Sequence, residues 1–308
     1  MNTRPVSRYL SALLSFRLLW FLTAVGAISL LAYGLCRNWE ELAQYEWQLD
    51  YRPLALSFAL HSTALFVAIW GWHSIMSHLG SKARLARNAK LYCYSNLAKR
   101  LPTFVWLFAG RAYLYEREGI AKRVTSLGTL LELSVIAVTG VMISLSITDA
   151  FTRSWLIERS GAVIFVVFAP LVVLLIRPGF LVEGLNILLV KLHRERVSVA
   201  LRRRDMLWWS LLYSLVWLLG GLSLFSLIGA LYPLPASSLP LVISAWSLSG
   251  LVGLFNFALP LGVGVKELAL AYLLSFCLPL PAAIVISIAS RIWLTLCELF
   301  WLLLSLRL

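Results

Sequence analysis

Long apolar stretches alternate with short polar ones along almost the whole chain. A helix rises about 1.5 Å per residue, so roughly 18 to 20 apolar residues are needed to cross about 30 Å of hydrocarbon. Stretches that approach or exceed this length predict transmembrane helices over about residues 18–35, 53–76, 124–147, 161–176, 206–231, 241–258 and 282–304. A shorter helix predicted at 266–278 follows a break in the pattern and would bring the number of crossings to about eight.

Two segments interrupt this pattern and predict irregular or re-entrant elements. The first, 82–123, is basic, and its apolar core is too short to span, so we expect a re-entrant or interfacial element packed on the bundle. The second, 256–267, places Pro260, glycines and charges between two apolar runs. Irregular backbone in a membrane is tolerated only where protein or water satisfies its polar groups, so this segment is the first candidate site. A mixed stretch at 179–196 predicts an amphipathic interfacial helix.

Composition supports the class that the pattern indicates. Of the 308 residues, 60% are hydrophobic and only 13% are charged, which is typical of a polytopic membrane protein. We therefore predict an all-α integral membrane protein with a single membrane domain over 1–308, divided into halves at about 1–147 and 154–308. The four cysteines lack metal-ligand spacing, so we expect free thiols and neither a metal nor a cofactor.

The basic residues are distributed unevenly. The formal net charge is +13, which in a soluble protein would suggest nucleic acid as a partner. Here ten of the 27 lysines and arginines lie in 82–123 and seven in 177–204, all in segments expected on one side. This asymmetry follows the positive-inside rule and predicts a multi-pass protein of the inner or plasma membrane with both termini in the cytoplasm. We expect anionic lipid head groups, and not nucleic acid, as partners.

Charged and polar side chains at predicted membrane depth form two similarly spaced sets. A charge at that depth costs about 2.5–3.5 kcal/mol or more and is usually paired or functional. The first set, whose proline and glutamate are 30 residues apart, is Asn96, Pro102, Gly110, Arg111 and Glu132. The second set, whose proline and final arginine are 31 residues apart, is Asn256, Pro260, Gly262, Gly264, Lys266, Glu267 and Arg291. Interrupted segments at corresponding positions of two halves are typical of transporters, so we predict an internal repeat around a shared polar chamber.

On these residues the chain resembles a known family. It is similar to the transmembrane domain family of bacterial lysylphosphatidylglycerol synthases, also called flippase-like or YbhN-like membrane proteins. The similarity covers nearly the whole chain, but Val263 stands where the family has the middle glycine of its second element, and Leu133 where it often has an arginine after Glu132. The resemblance implies a protein that handles lipids and moves a phosphate-bearing lipid between leaflets. Because no soluble aminoacyltransferase domain follows the last helix, we do not expect lipid lysylation.

The second break has the residue types that bind an anion. Gly262 and Gly264 would let backbone approach a ligand, and the helix N-terminus near Lys266 would present unpaired N–H groups. Arg291 and Arg111 could hold a phosphate through charge-assisted hydrogen bonds.

The two carboxylates allow a functional and a structural interpretation. Glu267 and Glu132 would balance the arginines in an empty site, or would bind a proton coupled to movement. In the structural interpretation, Glu267 only caps its helix and pairs with Arg291, and the glycines only permit close helix packing. Asn96 and Asn256 complete the candidate set.

Three functions follow, in order of preference. The first is a non-enzymatic translocase of a phospholipid or polyprenyl-phosphate lipid. The alternative is a non-catalytic scaffold or accessory subunit whose basic cytoplasmic surface binds an envelope lipid or glycan synthase. A membrane-embedded transferase is least favoured, since the sequence has no Asp-rich metal motif, Ser-His-Asp arrangement or Walker-type loop.

Overall fold

The computed structural model describes residues 22–23, 25–37, 39–44, 49–98, 105–147, 177, 179–191, 199–255 and 264–306. Within these ranges all regular structure is helical, which confirms the predicted all-α class. The helices described are Val25–Arg37 (α1), Trp39–Gln44 (α2), Tyr51–His78 (α3), Leu85–Ala98 (α4), Val105–Glu116 (α5), Lys122–Ile147 (α6), Gly179–Lys191 (α7), Arg203–Leu231 (α8), Leu239–Phe255 (α9), Val265–Leu274 (α10) and Leu280–Ser305 (α11). A single 3₁₀ turn, Ala236–Ser238, leads into α9.

Five of the described helices are long and apolar enough to cross a membrane: α3, α6, α8, α9 with its preceding turn, and α11. They confirm a multi-pass membrane protein and coincide with five of the predicted spans. The predicted short helix at 266–278 is also present, as α10. The described part of α1 is shorter than a full span, and the predicted span at 161–176 lies outside the described residues. The eight crossings and the internal repeat therefore remain predictions.

Two helices, α4 and α5, lie in the described part of the basic segment 82–123, and its re-entrant or interfacial placement stays a prediction. Helix α4 packs on α3 and α11, and α5 packs on α4 and α6. Along α5, Leu107, Arg111 and Tyr115 are fully buried, because their spacing of four residues places them on one face of the helix. The segment thus contributes its own buried surface to the bundle. The predicted amphipathic helix at 179–196 is helical as far as Lys191, and α7 packs against α6.

The most extensive helix pair in the described structure is α3 with α8. Two fully buried serines join them: the Ser57 hydroxyl donates to the Ser223 carbonyl at 2.8 Å, and the Ser223 hydroxyl donates to the Ser57 carbonyl at 2.9 Å. Small hydroxyl residues let two helices approach closely and supply hydrogen bonds where no water competes. Helices α4, α6, α9 and α11 each pack on one or both members of this pair.

Trp217 of α8 fills the space between two neighbouring helices. A Cβ built on Gly140 of α6 would lie 2.9 Å from the indole, and one built on Gly250 of α9 would lie 2.6 Å from it. The indole nitrogen donates to the carbonyl of Ile136 in α6 at 3.0 Å. The two glycines thus provide the room that one large ring occupies, and the three helices pack as one unit.

We predict that Gly221→Ala destabilises the protein. A Cβ at Gly221 of α8 would lie 2.8 Å from the Cα of Ile243 in α9, and backbone cannot move aside as a side chain can. Overpacking of this kind costs about 1–3 kcal/mol, which thermal unfolding of the purified protein in detergent would measure. The matched control is Gly229→Ala in the same helix, where nothing lies within 4 Å and where alanine favours the helix by about 0.5–1 kcal/mol. A lower melting temperature for both variants would contradict the role given to the contact with α9.

Candidate functional site

The second set of polar residues is organised by an ion pair between α10 and α11. Gly264 precedes α10 with φ of +101°, a backbone conformation that glycine adopts readily and other residues rarely do. This turn starts α10 so that Glu267 lies in its first turn. The Arg291 Nη1 donates to the Glu267 Oε1 at 2.6 Å. The pairing of Glu267 with Arg291, expected from the sequence, is therefore present.

The two partners differ in their surroundings. The Glu267 side chain is 10% exposed, whereas that of Arg291 is 38% exposed. Arg291 lies near the middle of α11, a helix of 26 residues that is apolar enough to span a membrane. A guanidinium has five N–H donors, and within the described residues its hydrogen bond goes to Glu267. Arg291 thus presents charge and donor capacity at the surface of a spanning helix.

Glu267 itself is incompletely satisfied. Its second oxygen, Oε2, is buried and has no hydrogen-bond partner among the residues that the structure describes. A buried carboxylate oxygen normally accepts hydrogen bonds, because removal from water without a replacement partner is costly. Glu267 is therefore held by Arg291 through one oxygen only.

The remaining described residues of the second set pack against other helices. The Lys266 Nζ lies 4.8 Å from the centroid of the Trp246 ring in α9, a cation–π distance. A Cβ on Gly264 would lie 3.2 Å from the Cβ of Ala27 in α1, so the start of α10 contacts α1 closely. The Lys266 ammonium thus packs on α9, and Gly264 packs on α1. Three other members of this set, Asn256, Pro260 and Gly262, lie outside the described residues.

The first set is organised by a second ion pair, between Arg111 of α5 and Glu132 of α6. Both side chains are completely buried. Glu132 accepts hydrogen bonds from the Arg111 Nη1, from the Tyr92 hydroxyl at 3.1 Å and from the Tyr213 hydroxyl at 3.0 Å. Three donors therefore neutralise and orient this carboxylate, and they come from α4, α5 and α8.

Aromatic rings enclose the guanidinium of Arg111. Its Cζ lies 4.1 Å from the centroid of the Trp72 ring and 5.0 Å from that of Tyr92, so cation–π attraction adds to the ion pair. The Nε donates to the Ser95 hydroxyl at 3.1 Å. The Nη2 is buried and has no hydrogen-bond partner within the described part of the chain. A ligand cannot reach this group without displacing the rings.

The network continues away from the ion pair. The Trp72 Nε1 donates to the Tyr115 hydroxyl at 2.6 Å, and that hydroxyl donates to the Asn88 Oδ1. The Asn88 amide lies 2.6 Å from the His73 Nδ1. The predicted site residue Asn96 lies one position after Ser95, is largely buried, and has an Oδ1 without a hydrogen-bond partner among the described residues.

The structure brings the candidate residues together as two separate pairs. The described contacts of Arg111 and Glu132 come from α3 to α6 and α8, whereas those around Glu267 and Arg291 come from α10, α11 and their neighbours α1 and α9. The shared polar chamber expected from the sequence is therefore not seen as a direct contact within the described ranges. In each half, however, one charge lies on a short helix and its partner on the next long helix.

The sequence did not point to Tyr92, Tyr213 or Trp72. Trp72 and Tyr213 lie in apolar stretches and Tyr92 in the basic segment, and the role of each depends on helix packing between residues far apart in the chain. The described ranges contain no group of three or more His, Cys, Asp or Glu side chains that could hold a metal. The side chains of the two pairs themselves supply charge pairing, hydrogen bonding and proton exchange.

We predict that Arg111→Met alone costs about 3–5 kcal/mol of stability, because it leaves the carboxylate of Glu132 buried without its cation. The double variant Arg111→Met, Glu132→Leu should recover much of this loss, since it removes both charges. Unfolding of each variant in detergent, arranged as a double-mutant cycle, measures the coupling between the two residues.

The control for this cycle is the exposed pair of Arg87 and Glu118, whose Nε to Oε1 distance is 2.9 Å. The hydrogen bond to Glu118 raises the pKa of Arg87, but solvent exposure limits the contribution of this pair to stability to about 0–1 kcal/mol. Equal losses in the free energy of unfolding for Arg87→Met and Arg111→Met would show that burial does not set the strength of the inner pair.

Comparison with the models of known protein families found no match, and a search of the curated proteins found none either. The family resemblance stated on the two residue sets stays a prediction.

Proposed function

We propose that this membrane protein binds a phosphate-bearing lipid at Arg291 and moves it between leaflets without chemical change. The observation that carries the proposal is the position of Arg291, whose guanidinium is partly exposed near the middle of a helix long enough to span a membrane. A cation at that depth is costly unless it is paired. An anionic head group would be a suitable partner for the exposed part of this guanidinium.

The geometry of the pair supports an anion as the ligand. Glu267 accepts from one nitrogen, Nη1, and holds the guanidinium in position until a phosphate replaces it. A planar guanidinium can bind two phosphate oxygens side by side, which gives both strength and orientation. Glu267 lies at the first turn of α10, where the helix dipole favours negative charge. A phosphate beside Arg291 would share that favourable field.

The surface next to Arg291 supports a lipid rather than a free phosphate ion. Exposed apolar residues recur along α11 at intervals of three or four positions: Ile292, Leu296, Leu299 and Leu303. This spacing forms a continuous apolar stripe on one helix face, and Arg291, the residue before Ile292, lies about 100° around the helix from it. Acyl chains would lie along the stripe while the head group contacts Arg291.

We expect the purified protein in liposomes to accelerate exchange of a phosphate-bearing lipid between leaflets. Arg291→Ala should abolish the acceleration because it removes the head-group contact, and Glu267→Gln should reduce it strongly because no carboxylate then displaces the lipid from Arg291. Arg87→Gln, at an exposed cation outside the pair, is the control and should exchange lipid as the unaltered protein does. A panel of fluorescent phospholipids and polyprenyl phosphates, assayed by dithionite quenching, gives the rates. No acceleration for any lipid on the panel would overturn the proposal.

A second candidate function is a scaffold that binds a lipid or glycan synthase. Its support is a basic surface at one end of the bundle, where the His78 ring at the end of α3 lies 3.0 Å from the Ala200 carbonyl just before α8. Arg202, Arg203 and Arg204 are all exposed beside this contact. Reversing these three charges to Glu should release a synthase that co-purifies in mild detergent. Retention of that synthase by the triple variant, or its absence from the unaltered preparation, would exclude this function.

A further inference from the structure

The two carboxylates of the candidate site differ in how firmly they are held. Glu132 is fully buried and accepts from three donors, so exchange of its partners would require several helices to separate. Glu267 is about nine-tenths buried, has one donor from Arg291 and has a second oxygen without a partner among the described residues. Only Glu267 is therefore arranged to exchange its partner at low cost.

We propose that Glu267 accepts a proton when an anionic phosphate takes its place at Arg291, so that each lipid bound brings one proton into the site. The inference rests on the proposed function, because it assumes that the phosphate binds at Arg291. It adds the identity of the coupling ion and the residue that carries it.

The carboxylate of Glu267 and the phosphate would compete for the guanidinium of Arg291. The carboxylate of Glu267 accepts a hydrogen bond from the Nη1 of Arg291. The Arg291 side chain is partly exposed, so a phosphate would approach this same group. A phosphate that binds there replaces one negative partner of Arg291 by another. Glu267 would then be a buried carboxylate with neither oxygen satisfied, and such a charge is far less stable than its neutral form. Uptake of a proton removes the charge and supplies an O–H that can donate to the phosphate.

The charged groups around Glu267 support this exchange. Arg291 is the cation that faces it from α11. Lys266, its neighbour on α10, lies with its ammonium over the Trp246 ring of α9 and so is directed towards that helix. From α1, the residues next to the start of α10 are Ala27 and Ile28, which are apolar. Within the described residues, the charge of Glu267 is therefore balanced by Arg291 in the empty site.

The step balances in atoms and charge. Before binding, the site holds a carboxylate and a guanidinium, with a net charge of zero. After binding, it holds a carboxylic acid, the guanidinium and a singly charged phosphodiester, again with a net charge of zero. One O–H bond forms at Glu267 with a proton from water, and no bond of the lipid breaks.

The test measures binding of dihexanoyl phosphatidylglycerol, whose phosphodiester does not titrate between pH 6 and 9, to the purified full chain in detergent. Isothermal titration in two buffers that differ in ionisation enthalpy gives the number of protons taken up per lipid. We expect uptake of up to one proton per lipid, with a Kd that rises with pH wherever uptake occurs, by up to about tenfold per pH unit. This measurement on the unaltered protein needs no variant that must fold.

Variants then identify the group that takes up the proton. Glu267→Gln should bind the lipid with a Kd that does not change with pH and without proton uptake. Glu298→Gln, at the carboxylate of α11, should keep the pH dependence of the unaltered protein. Arg291→Ala should lose binding at every pH.

The outcomes separate this inference from the proposed function. Lipid binding that requires Arg291 but shows no proton uptake, or uptake that persists in Glu267→Gln, would overturn the coupling and leave the lipid site intact. No binding at any pH, or binding unaffected by Arg291→Ala, would overturn the lipid site and the coupling with it.

Discussion

The structure depends on the fully buried ion pair between Arg111 and Glu132. Hydrocarbon offers no water to replace a lost partner, so two charges can be buried there only if protein groups satisfy them. Tyrosines from α4 and α8 donate further hydrogen bonds to the Glu132 carboxylate, and the ring of Trp72 from α3 covers the Arg111 guanidinium. Because every one of these contacts comes from a different helix, the need to satisfy two charges fixes how five helices are placed relative to one another.

The same two residue types serve a different role at Glu267 and Arg291. In the first pair both side chains are inaccessible and the carboxylate has three donors; in the second, the arginine reaches the surface and one carboxylate oxygen has no described partner. A closed pair of this kind supports packing, whereas an open pair can exchange a partner. The structural interpretation weighed for both pairs therefore suits the first, and the second is where ligand exchange is physically feasible.

The sequence predicted the spanning helices well because their signal is local. Apolar length alone located α3, α6, α8, α9 and α11, and Gly264 marked the start of α10. The intramembrane charges were also visible, because a charge among apolar residues is conspicuous. Their partners could not be read in the same way: Glu132 meets Tyr213, 81 residues away, through packing that no local pattern encodes. Nor did the sequence indicate that α4 and α5, in the described part of segment 82–123, would each bury large side chains such as Tyr92 and Tyr115.

The indole of Trp217, enclosed between the backbones of α6 and α9, restricts how this molecule can move. Sliding α8 past either neighbour would force a rigid bicyclic ring into backbone, so these three helices should turn together as one body. Any movement between helices would therefore leave α6, α8 and α9 together and would have to occur at the other helix contacts.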